Sequence, residues 1–200
     1  MTNVIKSHIY GKQSHDIYTV LFNTDKEQPD SVNLTVPTLD DLSVALGDNF
    51  IPQAEIKQTL ADFEHESGVS FSDSAKTDFA KEQVTKAITA YDSSSEVNEF
   101  SYMGFPLWLD KETRSGLVVR FNAEEAMGKT DTKLWAGTTG FSLSIADGRN
   151  MLNTIEYYAS QCFDCTASHK ASVEKLGTID EVVTYDYRSG YPGKIEFMIA

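Results

Sequence analysis

Apolar positions along the chain change period several times, and each change marks an element. Residues 15–23, HDIYTVLFN, set Ile17, Thr19 and Leu21 against Tyr18, Val20 and Phe22. Both faces are largely apolar, which predicts a strand buried on both sides or at an interface. TDKEQPDS is a turn by composition, with Pro29 barring continuation. In residues 31–36, Val32, Leu34 and Val36 share one face of a second short strand. Thr38 followed by Asp41 predicts a helix start, and LDDLSVALG a short helix ended by Gly47. Pro52 suits a first helical turn; Ile56, Leu60 and Phe63 then recur at helical spacing until Gly68. These elements make a small α/β module over residues 1–70, with no catalytic pattern in it.

A connecting helix follows over residues 71–95. Ser70 and Asp73 are its start signals, and Ala80, Val84, Ala87 and Tyr91 make one narrow stripe. Such a stripe is either a cover for a neighbouring sheet or a contact between subunits. Residues 96–200 form the third part. VNEFSY and FPLWLD flank Met103-Gly104 as a hairpin, with Pro106 placing the second strand at an edge. Asp110 is a helix N-cap; Leu117, Val118 and Phe121 then face inward, Gly116 marks close packing, and Gly128 terminates the helix. TKLWAG and GFSLSI form a second hairpin around Thr138-Thr139, and Ser144 with Asp147 opens a long helix. The predicted fold class is therefore α+β: the N-terminal module, the connecting helix, and a C-terminal domain of two hairpins packed with a long helix and shorter ones.

The long helix carries the most regular pattern in the chain. Leu152, Ile155, Ala159, Cys162, Thr166, His169, Val173 and Leu176 alternate in spacings of three and four. This is a heptad stripe about 37 Å long. Thr166 and His169 are polar, and a helix–helix seam uses polar positions to fix register and partner number. The stripe is accordingly a candidate oligomer seam, the alternative being a packed helix of a single domain. Gly177 ends the helix, Thr178 with Glu181 is a capping box for IDEVVTYD, and Tyr191-Pro192 between two glycines is a rigid turn before an extended tail.

Composition sharpens this picture. The 200 residues include 40% hydrophobic ones, 11 Phe, 9 Tyr and 2 Trp, enough for a packed core. The 17 basic and 30 acidic residues give −13, which repels the phosphates of nucleic acid and disfavours an anionic membrane surface. Residues 1–100 carry 7 Lys/Arg and 17 Asp/Glu, whereas residues 101–200 carry 10 and 13, with both Trp and both Cys. There is no apolar run long enough for a membrane span, and MTNVIKSHIYGK has no signal-peptide core. Two cysteines build no disulfide framework, so a protein made in a reducing cytoplasm is expected.

Candidate chemistry is sparse. Cys162-Phe-Asp-Cys165 with His169 lies on one helix face, but a structural zinc site wants four ligands and a redox pair wants a helix N-terminus. AMGKTDT has Ala123 where a phosphate loop needs its first glycine, and it follows a helix instead of preceding one. No serine sits in a nucleophile elbow, and Asp40-Asp41, Glu124-Glu125 and Asp180-Glu181 fit caps and solvated faces. The reading is of a protein that is not an enzyme and takes no cofactor or metal. Trp135, Tyr157, Tyr158, Tyr185, Tyr187 and Tyr191 are candidate anchors for a protein partner.

WLDKETR (108–114), KLWAG (133–137), the helix YYASQCFDCTASHKASVEKL (157–176) and TIDEVVTYDYRSGYPGKIEF (178–197) resemble an uncharacterised domain common in tailed-phage virion genes. That domain recurs at the C-terminal ends of tail-fibre and tail-assembly proteins, including those of crAss-like phages, and the resemblance covers about residues 97–197. It carries over no catalytic residues. It implies a virion structural protein made in the host cytoplasm. Such a protein would be an oligomeric adaptor or attachment subunit joining fibres or accessory proteins to tail, neck or capsid. The alternative it leaves open is a fibre-assembly chaperone that departs after its work. Its partners would be other virion proteins and copies of itself, with no nucleic acid and no membrane.

Overall fold

A computed structural model describes residues 4–9 and 13–198. Residues 1–3 and 10–12 of the N-terminal stretch MTNVIKSHIYGK and the last two residues of the expected C-terminal domain lie outside it. The fold is α+β. Two compact units divide the chain: residues 1–90 with 167–189, and residues 91–166 with 190–200. This differs from a linear division at 70 and 95. The helix Ile145–Glu174 is 30 residues, about 45 Å of rise. One small core cannot bury so long a stripe, so its two ends are covered by different segments.

In the first unit, β1 (Val4–Ile9), β2 (His15–Phe22) and β3 (Asp30–Leu34) form an antiparallel sheet in the order β1-β2-β3. β1 was not anticipated from its own residues; its register against β2 runs from Val4 opposite Val20 to Ile9 opposite His15. Tyr18, Val20 and Phe22 are buried, while Ile17, Thr19 and Leu21 are half-buried. Within the chain β2 is thus covered fully on one face and partly on the other.

α1 (Leu39–Leu46) packs on β3 and buries Leu39, Leu42 and Leu46; Thr38 caps it by accepting from the Asp41 N–H at 3.0 Å. After a 3₁₀ turn, Gln53–Glu55, α2 (Ile56–Ser67) lays Ile56, Leu60 and Phe63 against β1 and β2. Phe63 meets Tyr18 edge to face at 6.1 Å. α3 (Asp73–Asp92) buries Ala80, Val84 and Ala87, so this part of its stripe covers the chain's own core. α6 (Ile179–Thr184) starts with the anticipated capping box, and its C-terminal carbonyls accept from Gln53 Nε2 at 2.8 and 2.9 Å.

The second unit holds a three-stranded sheet in the order β5-β4-β8, built from β4 (Phe100–Tyr102), β5 (Phe105–Leu107) and β8 (Glu196–Phe197). β8 pairs parallel to β4. Met103 and Gly104 both take positive φ (51° and 80°), the geometry a two-residue hairpin turn demands. Pro106 sits on the edge strand as anticipated. β6 (Asp131–Ala136) and β7 (Thr139–Ser144) form a separate hairpin.

α4 (Lys111–Ala126) is capped by Asp110, whose carboxylate accepts from the Thr113 N–H at 2.7 Å; that bond first, then the Thr113 hydroxyl, holds the carboxyl below its usual range. Phe121 is fully buried with Ile145 and Leu152. Val118, expected to face inward, is 42% exposed. Gly116 is not a close contact: a β-carbon there would meet nothing within 4 Å. The close approach is at Gly148 in α5 (Ile145–Glu174), where a β-carbon would stand 2.8 Å from the Phe121 ring.

Candidate functional site

The stripe on α5 is used within the chain, and this corrects its reading as an oligomer seam. Leu152, Ile155, Cys162, Thr166 and Val173 are all buried in the single polypeptide, and Ala159, His169 and Leu176 are half-buried. Ile155 packs with Phe100, Tyr102 and Met151. Cys162 packs with Val97 and Tyr158.

The two polar positions are satisfied locally. Thr166 donates to Asp92 at 2.7 Å and lies 2.8 Å from the Tyr191 hydroxyl. His169 bonds through Nδ1 to the Tyr185 hydroxyl (2.8 Å) and through Nε2 to the Ser189 carbonyl (2.9 Å). The polar residues that suggested a seam hold C-terminal segments instead.

The proposed anchors separate in the same way. Tyr158 and Tyr187 are buried, and Tyr158 donates to the Val97 carbonyl at 2.9 Å, so both are core residues and not surface anchors. Tyr185 and Tyr191 are half-buried, stacked edge to face on His169 and Tyr91 respectively. Trp135 and Tyr157 are exposed, at 62% and 67%. The thiols are buried (Cys162) and half-buried (Cys165), and burial pushes both pKa values up, the reverse of a reactive thiolate. Among the described residues no group of three His, Cys, Asp or Glu side chains is placed to hold a metal ion. No described helix is long and apolar enough to cross a membrane.

What the fold does assemble is an apolar groove in the second unit, with a volume of about 450 Å³. Its floor is Phe100, Leu134, Phe141 and Met151, delivered by β4, β6, β7 and α5. Leu117 and Arg120 come one turn apart from α4, and Trp108 and Trp135 line it as well. Each tryptophan has a cation against its ring: the Arg114 guanidinium is 5.5 Å from the Trp108 centroid, and Lys133 Nζ is 4.5 Å from that of Trp135. Arg114 is itself fixed, donating from Nε to Glu156 at 2.7 Å and from Nη1 to the Leu109 carbonyl at 2.6 Å.

Arg120 is the one charged residue among those lining the groove. Its Nε donates to Glu124 at 3.1 Å, and Lys129 lies 3.9 Å from the same carboxylate oxygen. The arrangement can bury an apolar side chain and bind an anionic group beside it.

Sequence reasoning singled out Trp135 but missed the rest of the groove as a site. Trp108 was legible only as part of the WLDKETR motif. Phe100, Leu117, Arg120, Leu134, Phe141 and Met151 come from five elements, and no spacing in the sequence signals their convergence. The chain matches no family model, no curated protein and no solved structure.

Proposed function

We propose that this protein is a structural component of a tailed-phage virion, an adaptor or attachment subunit that joins a fibre or accessory protein to the tail, neck or capsid. The observation that carries the binding role is the aromatic groove of the second unit, with Trp135 largely exposed beside a floor of Phe and Leu side chains. The same unit exposes further large apolar residues: Met103, Phe105, Val119, Met127 and Phe163 are each more than 45% exposed. An apolar groove with an exposed tryptophan at its lining is suited to take up a side chain of a protein partner. The same unit contains most of the segment that resembles the phage domain, which supplies the virion context.

Self-association, if it accompanies this role, uses a surface other than the α5 stripe. The test is mass spectrometry of purified, mature particles of the phage that carries the gene. Stoichiometric presence is the expected result. Absence from mature particles, with presence in assembly intermediates, overturns the structural role and points to a fibre-assembly chaperone.

A further inference from the structure

We propose that the groove takes an extended acidic segment of a partner protein, which adds as a strand to the outer edge of β6, seats an apolar side chain in the cavity and places a carboxylate on Arg120. The inference rests on the binding role proposed above and names the chemistry of the partner.

Three observations converge. The first is the edge. β6 and β7 form a two-stranded sheet, so each has one unpaired side. The Ile145 N–H donates to the Thr130 carbonyl at 2.8 Å, which sets the alternation along the ladder. Residues 130, 132, 134 and 136 turn their backbone groups toward β7, and Lys133 and Trp135 turn theirs outward. Among the described residues those outward groups have no backbone partner. An exposed edge of this kind is a template for strand addition.

The second is the placement of the cavity. Neighbouring residues of a strand project to opposite faces. The cavity is lined by Leu134 and Trp135 of β6 and by Gly137 of the turn, so it adjoins the strand beside which an added one would run. Alternate side chains of such a strand would point into the apolar floor.

The third is local charge. The chain carries −13, yet the groove's charged lining residue is Arg120, and Lys133 stands over Trp135. Lys129 and Glu124 stand beside Arg120, and Asp131 lies two residues before Lys133 on β6. Glu124 is shared between Arg120 and Lys129. Asp131 is bonded by the Thr130 hydroxyl at 2.8 Å. Arg120 commits only Nε to Glu124, and among the described residues its two Nη groups donate to none. A guanidinium edge beside an apolar cavity selects a carboxylate with an apolar neighbour. At physiological salt, screening beyond about 8 Å makes these nearby cations count for more than the net charge of the chain.

The experiment uses the full chain and a yeast-displayed library of random dodecapeptides, with no bias in composition. Enriched sequences should alternate apolar residues with Asp or Glu. Their binding can be read from emission of Trp108 and Trp135, the chain's two tryptophans. Arg120→Ala should weaken the selected peptides by about ten- to a hundredfold, the loss of a charge-assisted contact. Arg120→Glu should shift a fresh selection toward Lys- and Arg-bearing peptides. Far-UV circular dichroism of both variants checks that they are folded, and Trp135→Ser gives a second route should one of them not fold. Three outcomes overturn the inference: no enrichment, enrichment of neutral or basic peptides by the native chain, or acidic binders indifferent to Arg120 and Trp135. Because particle composition is measured separately, a protein present in virions that fails this selection loses only the inference. One that passes but is missing from virions loses only the virion role.

Discussion

The hydroxyl of Tyr158 on α5 donates to the backbone carbonyl of Val97 at 2.9 Å, inside the core of the second unit. The bond satisfies a carbonyl in the turn before β4 and ties that turn to the helix. Tyr158→Phe keeps the ring and removes the donor, so it should cost about 1–2 kcal/mol in urea denaturation. Burial first, then Cys162 nearby, raises the tyrosine pKa above its ordinary 10.0. The folded state therefore keeps the proton to higher pH than the unfolded state does. Stability from this group is complete below pH 10 and falls as pH rises further. The Cys162 thiol, raised from 9.0 mainly by burial, adds a decline that starts lower. In denaturation series at several alkaline pH values, Tyr158→Phe should lose less than the native chain above pH 10. An equal slope would contradict the assignment.

Arg114 is buried although charged, and its partners decide which substitution matters. Glu156 is 61% exposed, so Glu156→Gln should change stability by less than about 1 kcal/mol. Arg114→Ala also abandons the Leu109 carbonyl and the face of Trp108, and should cost about 2–3 kcal/mol. Arg114→Lys should not restore the loss, because an ammonium cannot span a carboxylate and a carbonyl in one plane. Chemical denaturation followed by tryptophan emission compares all three.

Two glycines in helices should respond in opposite directions to alanine. At Gly116 nothing stands within 4 Å of an added β-carbon, so Gly116→Ala should stabilise by about 0.5–1 kcal/mol through helix propensity. At Gly148 the new carbon meets the Phe121 ring at 2.8 Å, and Phe121 is fully buried. Overpacking there should outweigh the same propensity gain and destabilise by about 1–3 kcal/mol. Thermal melts of the pair check both signs.

Ile155 and Tyr157 stand two residues apart on α5 with opposite burial, 0% and 67%. Ile155→Asp puts a charge into the core and should unfold the second unit, at a cost above about 4 kcal/mol. Tyr157→Asp should stay within about 0.5 kcal/mol. Sedimentation of native protein and both variants, alongside circular dichroism, distinguishes loss of fold from loss of a subunit contact. Dissociation of an intact fold by Ile155→Asp would restore the seam.

Much of the local structure was legible in the residues. Thr38, Asp110 and Thr178 announce helix starts because a short side-chain oxygen can take the first free N–H groups. Met103-Gly104 and Pro106 place a hairpin and its edge strand for equally local reasons. Spacing also identified the α5 stripe as buried, since helical periodicity fixes which residues share a face. It could not say what covers that face. A partner subunit and the chain's own distant segments look the same in a one-dimensional pattern. The tertiary structure assigns Ile155 to Phe100 and Tyr102, and Thr166 to Asp92. Likewise β1 and β8 exist through pairing with β2 and β4, not through their own composition. The groove belongs wholly to this second level. Trp135 was visible as an aromatic, but its company with Trp108, Arg120 and Met151 depends on non-local packing of hairpins on helices, which no short window of sequence encodes.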